Sequence, residues 1–528
     1  MPERDLQYQE ERPVFIRPIY GQWGMDPAVA MPTGASPYMR NLSVYQGFLR
    51  KRPGYGQHVA GNDALDGPVV GLFSHKNAAG NTFLIACTPT SVYRFNDVSE
   101  DWDKLSGSAL TGTEDDLFAF EVSQRHVVFS QGVDPVQIHD LSTSTYGDLS
   151  PNCPPARRLC RFNNRLNLGW TVESSNQEPY RHRWPTNGDH TNWTGVGASF
   201  RDEPELTRFV QGMKRIGTNA MAIYYVEGIE VVTQQPNATA PFVYHMQIPE
   251  IGLLAPHTLK GRNNQHFFLG TDDYYLFNGM QVESIGMPAR DELFYTLAIG
   301  NPNVMFSEIM FDTQEYINFL VSGGSDWPNI IWVYNYGRQI WYPWTVTDMR
   351  CATKHALFPA LRIDDLVGDI DSQDWQYDAQ YLSPQYPAMT TGGQDGKVYR
   401  WSWLYKSDNG NPIHCVWSSQ DFTSEMIFDR PGYKIELARV VIEYRGIGRS
   451  ATLNFAFSTD GGNVWEGMTS VDLGDENDGL HTAHVDPRVT GDRIRFKMEN
   501  YTTDEDFMIA EFKLLFRLHK TPVYADAS

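Results

Sequence analysis

The sequence predicts an all-β chain, a β-propeller of about seven blades (six to eight fit the pattern) followed by a β-sandwich, and three observations predict it. Short aromatic or β-branched strands ending in turns recur at a fixed period. Tyr93, Ile138, Trp184, Glu230 and Tyr275 are spaced by 45, 46, 46 and 45 residues, the range of a propeller blade, and the series stretches on to Tyr334 and Tyr399. Composition is turn-rich, with 44 Gly, 31 Pro and 27 Tyr, which favours short strands over helices. Towards the C-terminus the period is replaced by strict apolar and polar alternation, the pattern of a sheet with one buried face.

Residues 1–67 are rich in Pro and Gly with little periodicity and are expected as an extended N-terminal arm lying on other structure. Their densest basic cluster, Arg50, Lys51 and Arg52, is expected in a solvated turn before Pro53-Gly54, with contact to an acidic neighbour as the alternative. Residues 68–412 form the propeller. Runs such as VVGLF (69–73), FLIAC (83–87) and HVVFS (126–130) have the length of blade strands, and blades must stack because none buries both faces alone. ARDELFYTLAIG (289–300) is the best helix candidate. An acidic insertion at about 345–388 carries Asp364, Asp365, Asp369, Asp371, Asp374 and Asp378. It lacks the glycine turn and terminal glutamate of a calcium loop, so it is read as an acidic surface loop. Residues 413–528 are the sandwich and tail: Leu453, Phe455 and Phe457, then Ile494, Phe496 and Met498, then Met508, Ala510, Phe512, Leu514, Phe516 and Leu518 alternate with the opposite face.

The net charge is −21, which argues against a surface that grips nucleic-acid phosphates and fits either an ordinary acidic surface or a conduit that a polyanion slides through. Cys87, Cys153, Cys160, Cys351 and Cys415 show no paired spacing and are expected as free, mostly buried thiols. No segment approaches 18 continuous apolar residues, so no membrane span is expected, and the N-terminus has no signal-peptide core. The Asn-X-Ser/Thr matches at Asn41, Asn192, Asn237 and Asn500 carry no weight without secretion.

No nucleophile elbow, zinc-protease or phosphate-loop motif stands out. His182 and His190 are too far apart in sequence for a zinc pair. No catalytic, cofactor-binding or metal residue and no cofactor is assigned. FSTDGGNVW (457–465) resembles the Asp-box of sialidases, with Ser458, Asp460, Gly462 and Trp465 on the motif and Val464 departing from it. One copy, outside the blades, reads as a folding device. A glycosidase would also need a placed carboxylate pair.

YMRNLSVYQGFLRKRPGYG (38–56), with Asn41, Gly47, Arg52, Pro53 and Gly54, resembles the opening segment of a family of phage tail proteins. LCRFNNRLNLGW (159–170), RHRWPTNGDHTNWTG (181–195), the aromatic stretch at 251–286 with its Asn278-Gly279 turn, VYNYGRQIWYPW (333–344) and the DGG turn (460–462) are similar to other parts of it. The family is the tail nozzle, or packaged-DNA stabilisation, proteins of short-tailed bacteriophages, and the resemblance covers about 35–519. It implies a structural virion protein, not an enzyme, made in the host cytoplasm and located in the phage tail. It implies a homohexamer below the portal and adaptor, which extends the DNA channel without sequence-specific binding, helps retain packaged DNA and docks tail fibres or a plug. Six copies at −21 each sum to −126, in keeping with an acidic bore if that charge faces inward. A glycan-binding or glycan-cleaving propeller, either a receptor-binding tail protein or a sialidase-like hydrolase, is the alternative.

Overall fold

The structure, a computed structural model, describes residues 8–59, 64–77, 82–204, 208–236, 240–356 and 387–522. Alternation along each strand sets the packing. In His126–Ser130, Val127 and Phe129 enter a core shared with the preceding sheet, while Val128 enters one shared with the following sheet, because successive side chains point to opposite faces. A strand that is apolar on both faces needs a sheet on either side. The chain answers by stacking small sheets in series.

Six four-stranded sheets follow one another. The first joins Gly71–Lys76, Thr82–Cys87, Val92–Asn96 and Asp101–Lys104. The next five begin with Ala119–Ser123, Ala156–Phe162, Gly212–Ile216, Lys260–Arg262 and Phe306–Met310. A seventh sheet begins with Met349–His355, Ala388–Gly393 and Val398–Ser402 and takes its next strand, Gly54–Gln57, from the other end of the chain, with Trp401 opposite Tyr55 and Tyr399 opposite Gln57. The series closes on itself: the first strands of the seventh and first sheets lie side by side, Val69 N–H donates to Gly393 O at 3.1 Å, and Ser74 Oγ is 3.0 Å from His355 Nδ1. The architecture is all-β and propeller-like. Each marker of the sequence repeat, from Tyr93 to Tyr399, falls on the third strand of its sheet.

Hairpins inside the sheets turn on two residues, both at positive φ, at Gln124-Arg125, Asn163-Asn164, Ser174-Ser175 and Asn263-Asn264. That turn matches the twist of the strands it joins, and asparagine tolerates it well. The expected helix is present as Arg290–Thr296.

Two larger sheets are appended. One orders Leu42–Tyr45, Phe48–Lys51, Met508–Pro522, Tyr433–Ile447 and Asn477–Val485, with Tyr8–Ile16 also pairing Met508–Pro522. The other orders Met39–Arg40, Cys415–Ser418, Arg493–Asn500, Ala451–Ser458 and Glu466–Leu473. Their facing sides share one core, in which Phe512 meets Trp417 and Phe496 with ring centroids 5.3 and 5.4 Å apart. The expected alternation holds from Phe512 to Leu518. It fails at Ala510, where a register shift between Glu443 and Tyr444 puts Ile509 into the core instead, as one extra residue in a ladder does.

Residues 8–59, expected as an extended arm, are thus distributed as strands over three sheets. The solvated turn expected for Arg50, Lys51 and Arg52 is overturned: Lys51 and Arg52 are 1% and 2% exposed. Arg52 donates to both oxygens of Asp408, at 2.9 and 2.5 Å, and to Asn41 Oδ1 and Thr345 O. Lys51 Nζ donates to Thr502 O at 2.7 Å and Glu505 O at 3.1 Å. Arg50 pairs with Asp506 at 2.7 Å and stacks over Trp403. Lys51 and Arg52 are buried and Arg50 half-buried because each has a partner from the distant C-terminal half, which offsets the cost of removing charge from water.

Candidate functional site

The first strand of every one of the seven sheets contributes to the wall of a single central cavity of about 370 Å³. Such a channel is where stacked radial sheets leave room. Its chemistry is uneven. Arg158, Lys214, Lys260 and Lys354 line it, with His257 and with Glu308 as the one carboxylate in the wall. Lys260 and Lys354 each approach Glu308 at 3.4 Å. Burial pushes the Glu308 carboxyl up, and the two lysine charges overcome this and hold it below its ordinary value. Burial lowers Lys214, Lys354 and His257, the last well below its usual range with further help from the charge of Arg158. It also brings the Arg158 guanidinium down to about 9. Gly261 belongs to this geometry, since a Cβ there would meet Lys214 Cε at 2.8 Å.

A second, smaller pocket of about 70 Å³ lies between the sixth and seventh sheets. It is lined by Trp344, Trp401, Trp403, Arg400, Asp312 and Glu315 among others. Glu315 accepts from Tyr342 Oη and from Thr313 Oγ1, and burial raises its carboxyl to about 7 against these bonds. The protonated form is therefore the one the fold favours. This contribution is complete below the ordinary value of 4.5 and is lost as pH rises through 7, amounting to roughly 3 kcal/mol. Glu315→Gln keeps an acceptor for Tyr342 and cannot ionise. Urea denaturation is expected to find it about 1–3 kcal/mol more stable than the wild type at pH 8 and within 1 kcal/mol of it at pH 4.5.

The residues weighed in the sequence do not converge on either pocket. His182 bonds Tyr244 Oη and Asn167 Oδ1 and is brought down to about 3 by burial, whereas His190 bonds Ser123 Oγ in a separate network. All five cysteines are free and buried, and only Cys351 borders the central cavity. The Asp-box-like turn is built as expected of a folding device. Asp460 Oδ1 accepts from Ser458 Oγ and from the N–H groups of Asn463 and Val464, while Gly461 and Gly462 adopt positive φ. The aspartates of the insertion, Asp364 to Asp378, lie outside the described residues. Among the described residues no group of three or more potential ligands is placed to hold a metal ion, and no helix is long and apolar enough to cross a membrane.

The basic cavity wall was missed in the sequence although a signal was present. Lys214, Lys260, Glu308 and Lys354 follow one another at 46, 48 and 46 residues, the blade period itself.

No family model matches the chain, and no curated protein matches it. Among solved structures, it is similar to an exo-β-1,3-galactanase from Phanerochaete chrysosporium bound to galactose, at 10% identity and a TM-score of 0.26, over 87% of this chain and 99% of that one. It is also similar to an extracellular domain assigned to a hybrid two-component system from B. thetaiotaomicron, at 9% identity and a TM-score of 0.37, over 73% of this chain and 43% of that one. At these scores the likenesses carry no argument about activity or ligand.

Proposed function

We propose that this chain is a structural component of a bacteriophage tail. In this reading it is a nozzle or hub ring of six copies below the portal and adaptor, which extends the DNA channel, helps retain packaged DNA and docks fibres or a plug. The seven stacked sheets are then the blades of a seven-bladed propeller, and the appended pair is a β-sandwich. One observation carries the reading. Of the residues of the opening resemblance, Asn41, Arg52 and Gly54 share one mechanical task, joining propeller to sandwich, while Gly47 turns a hairpin within one appended sheet. Asn41 sits at positive φ and accepts from Arg52 Nε and from Thr345 N–H. Arg52 reaches Asp408, and Gly54 enters the ladder of the seventh sheet. A motif spent on a rigid joint suits a part that bears load between neighbours in a ring. Exposed carboxylates gather on the sandwich strands Glu466–Leu473 and Asn477–Val485 and the turns beside them, at Glu466, Asp472, Asp475, Glu476 and Asp478, and these we assign to the acidic bore.

Counting the chain against the portal protein in purified, DNA-filled virions by quantitative mass spectrometry tests the proposal. Six copies per twelve portal subunits are expected. Absence from the particle would sink it.

The glycan reading is favoured by one feature, the small pocket in which Trp344, Trp401 and Trp403 border Asp312 and Glu315, since aromatic rings stack on sugars and a raised carboxyl suits a general acid. Against it, the large central cavity offers a single carboxylate already held by two lysines, where hydrolysis needs a separated pair. Hydrolysis of aryl glycosides that disappears in Glu315→Gln would replace the nozzle reading with this one.

A further inference from the structure

We propose that the central channel is a binding site for one small, multiply charged oxyanion of the phosphate class, held by Arg158, Lys214, Lys260 and Lys354. Four basic side chains from the third, fourth, fifth and seventh sheets converge on one cavity whose wall contains one carboxylate. Glu308 serves two of them, Lys260 and Lys354. The other two have no ion pair among the described residues. Arg158 is 7% exposed and makes one hydrogen bond, from Nη1 to Arg157 O, while its Nε and Nη2 are buried with no partner. The Lys214 ammonium, one blade further on, makes no hydrogen bond or ion pair among the described residues; the charges of Glu121 and Glu308 act on it only from a distance, against that of Lys260.

Orphaned guanidinium N–H groups are costly in a protein interior, and like charges crowded into one cavity repel. A dry cavity of this composition is a poor solution, and water alone satisfies the N–H groups but leaves the charge uncompensated. An oxyanion does both, because its oxygens accept from several donors at once and its charge cancels that of the wall. Lysine and arginine together suit a tetrahedral or condensed phosphate, the lysines as point charges and the arginine as a directed fork. At about 370 Å³ the cavity lies within the range of small-molecule sites, and at roughly 30 Å³ per water it holds such an ion with part of its hydration. Because the ligands come from four separate sheets, a bound anion would tie them across the hub, adding to the few backbone hydrogen bonds that join neighbouring sheets there, such as Phe118 N–H to Val70 O and Ser307 N–H to His257 O.

The test is isothermal titration calorimetry of the full chain with inorganic phosphate and with diphosphate, beside thermal unfolding in each salt and in sodium chloride at matched ionic strength. Saturable binding near one ion per chain is expected, with a rise in unfolding midpoint that chloride does not reproduce. Lys214→Gln and Arg158→Gln are expected to weaken binding at least tenfold. Lys214→Gln removes no partnered group, so it tests the site even if the arginine variant fails to fold. Stabilisation by chloride equal to that by phosphate, or affinity unchanged in Lys214→Gln, would overturn the proposal.

Discussion

Asp506→Asn is expected to destabilise the protein by about 3–5 kcal/mol at pH 7, the cost of leaving buried cations without their anion. Asp506 is 2% exposed and is approached by Arg50 at 2.7 Å and Lys406 at 2.6 Å, while Lys51 lies close enough for its charge to be felt. Burial would raise the carboxyl, and the charges of Arg50 and Lys406, with their hydrogen bonds, hold it far below its ordinary value of 3.8. Lys406 and Lys51 are themselves lowered, because burial costs each of them more than a share in one carboxylate returns. The two ends of the interaction thus point in opposite directions. The aspartate is the better guide, since several cations serve it and the Phe507 N–H also donates to its Oδ1 at 2.9 Å.

With the folded value depressed, the contribution of Asp506 is present above its ordinary value and is lost as pH falls from about 4 towards the folded value. Urea denaturation of wild type and variant should therefore differ most at neutral pH and converge as the solution is acidified below pH 4. That window lies below the one assigned to Glu315, so the two slopes separate on a single stability profile. A difference that persisted unchanged at pH 2.5 would show that asparagine disrupts packing rather than charge.

The period of the stacked sheets was legible because each sheet repeats a local instruction. The third strands, aromatic in five of the seven sheets, mark them in phase, and Asn-Asn turns sit between first and second strands at 163–164 and 263–264. The core face of Phe512 to Leu518 was legible because alternation is local as well. What could not be read locally was anything whose partner lies far along the chain. Arg52 looks like a surface charge until Asp408 is beside it, 356 residues later, and Arg50 until it meets Asp506, 456 residues later. The cavity lysines share the blade period, but they sit on first strands, where polar residues separate short apolar runs and no aromatic marks the register. Ala510 missed the core through one extra residue in a ladder, which apolar alternation cannot register.

Deleting residues 1–59 is expected to abolish cooperative folding, because what reads as an extended arm closes two structures at once. Gly54–Gln57 lies between Val398–Ser402 and Ser407–Asp408 in the seventh sheet, the sheet that meets the first and shuts the ring. Without it the outer edge of that sheet is open and Asp408 loses Arg52. On the other side, Tyr8–Ile16 and Phe48–Lys51 together cover one edge of the 15-residue strand Met508–Pro522, and a long uncovered edge invites association with other chains. The summed loss of strand pairing, core side chains and the ion pairs and hydrogen bonds of Arg50, Lys51 and Arg52 exceeds the roughly 5–15 kcal/mol by which folded domains are stable. A permuted chain separates this account from a mere effect of length. Tyr8 pairs with His519, so a short linker from residue 522 to residue 8 can carry residues 8–59 at the C-terminus of a chain that starts at residue 64. That permutant should unfold cooperatively within a few kcal/mol of the wild type, while the truncation yields aggregate or a chain without near-ultraviolet circular dichroism. A truncated chain with the wild-type urea midpoint would mean that the seven sheets hold their ring without the strand from the other end.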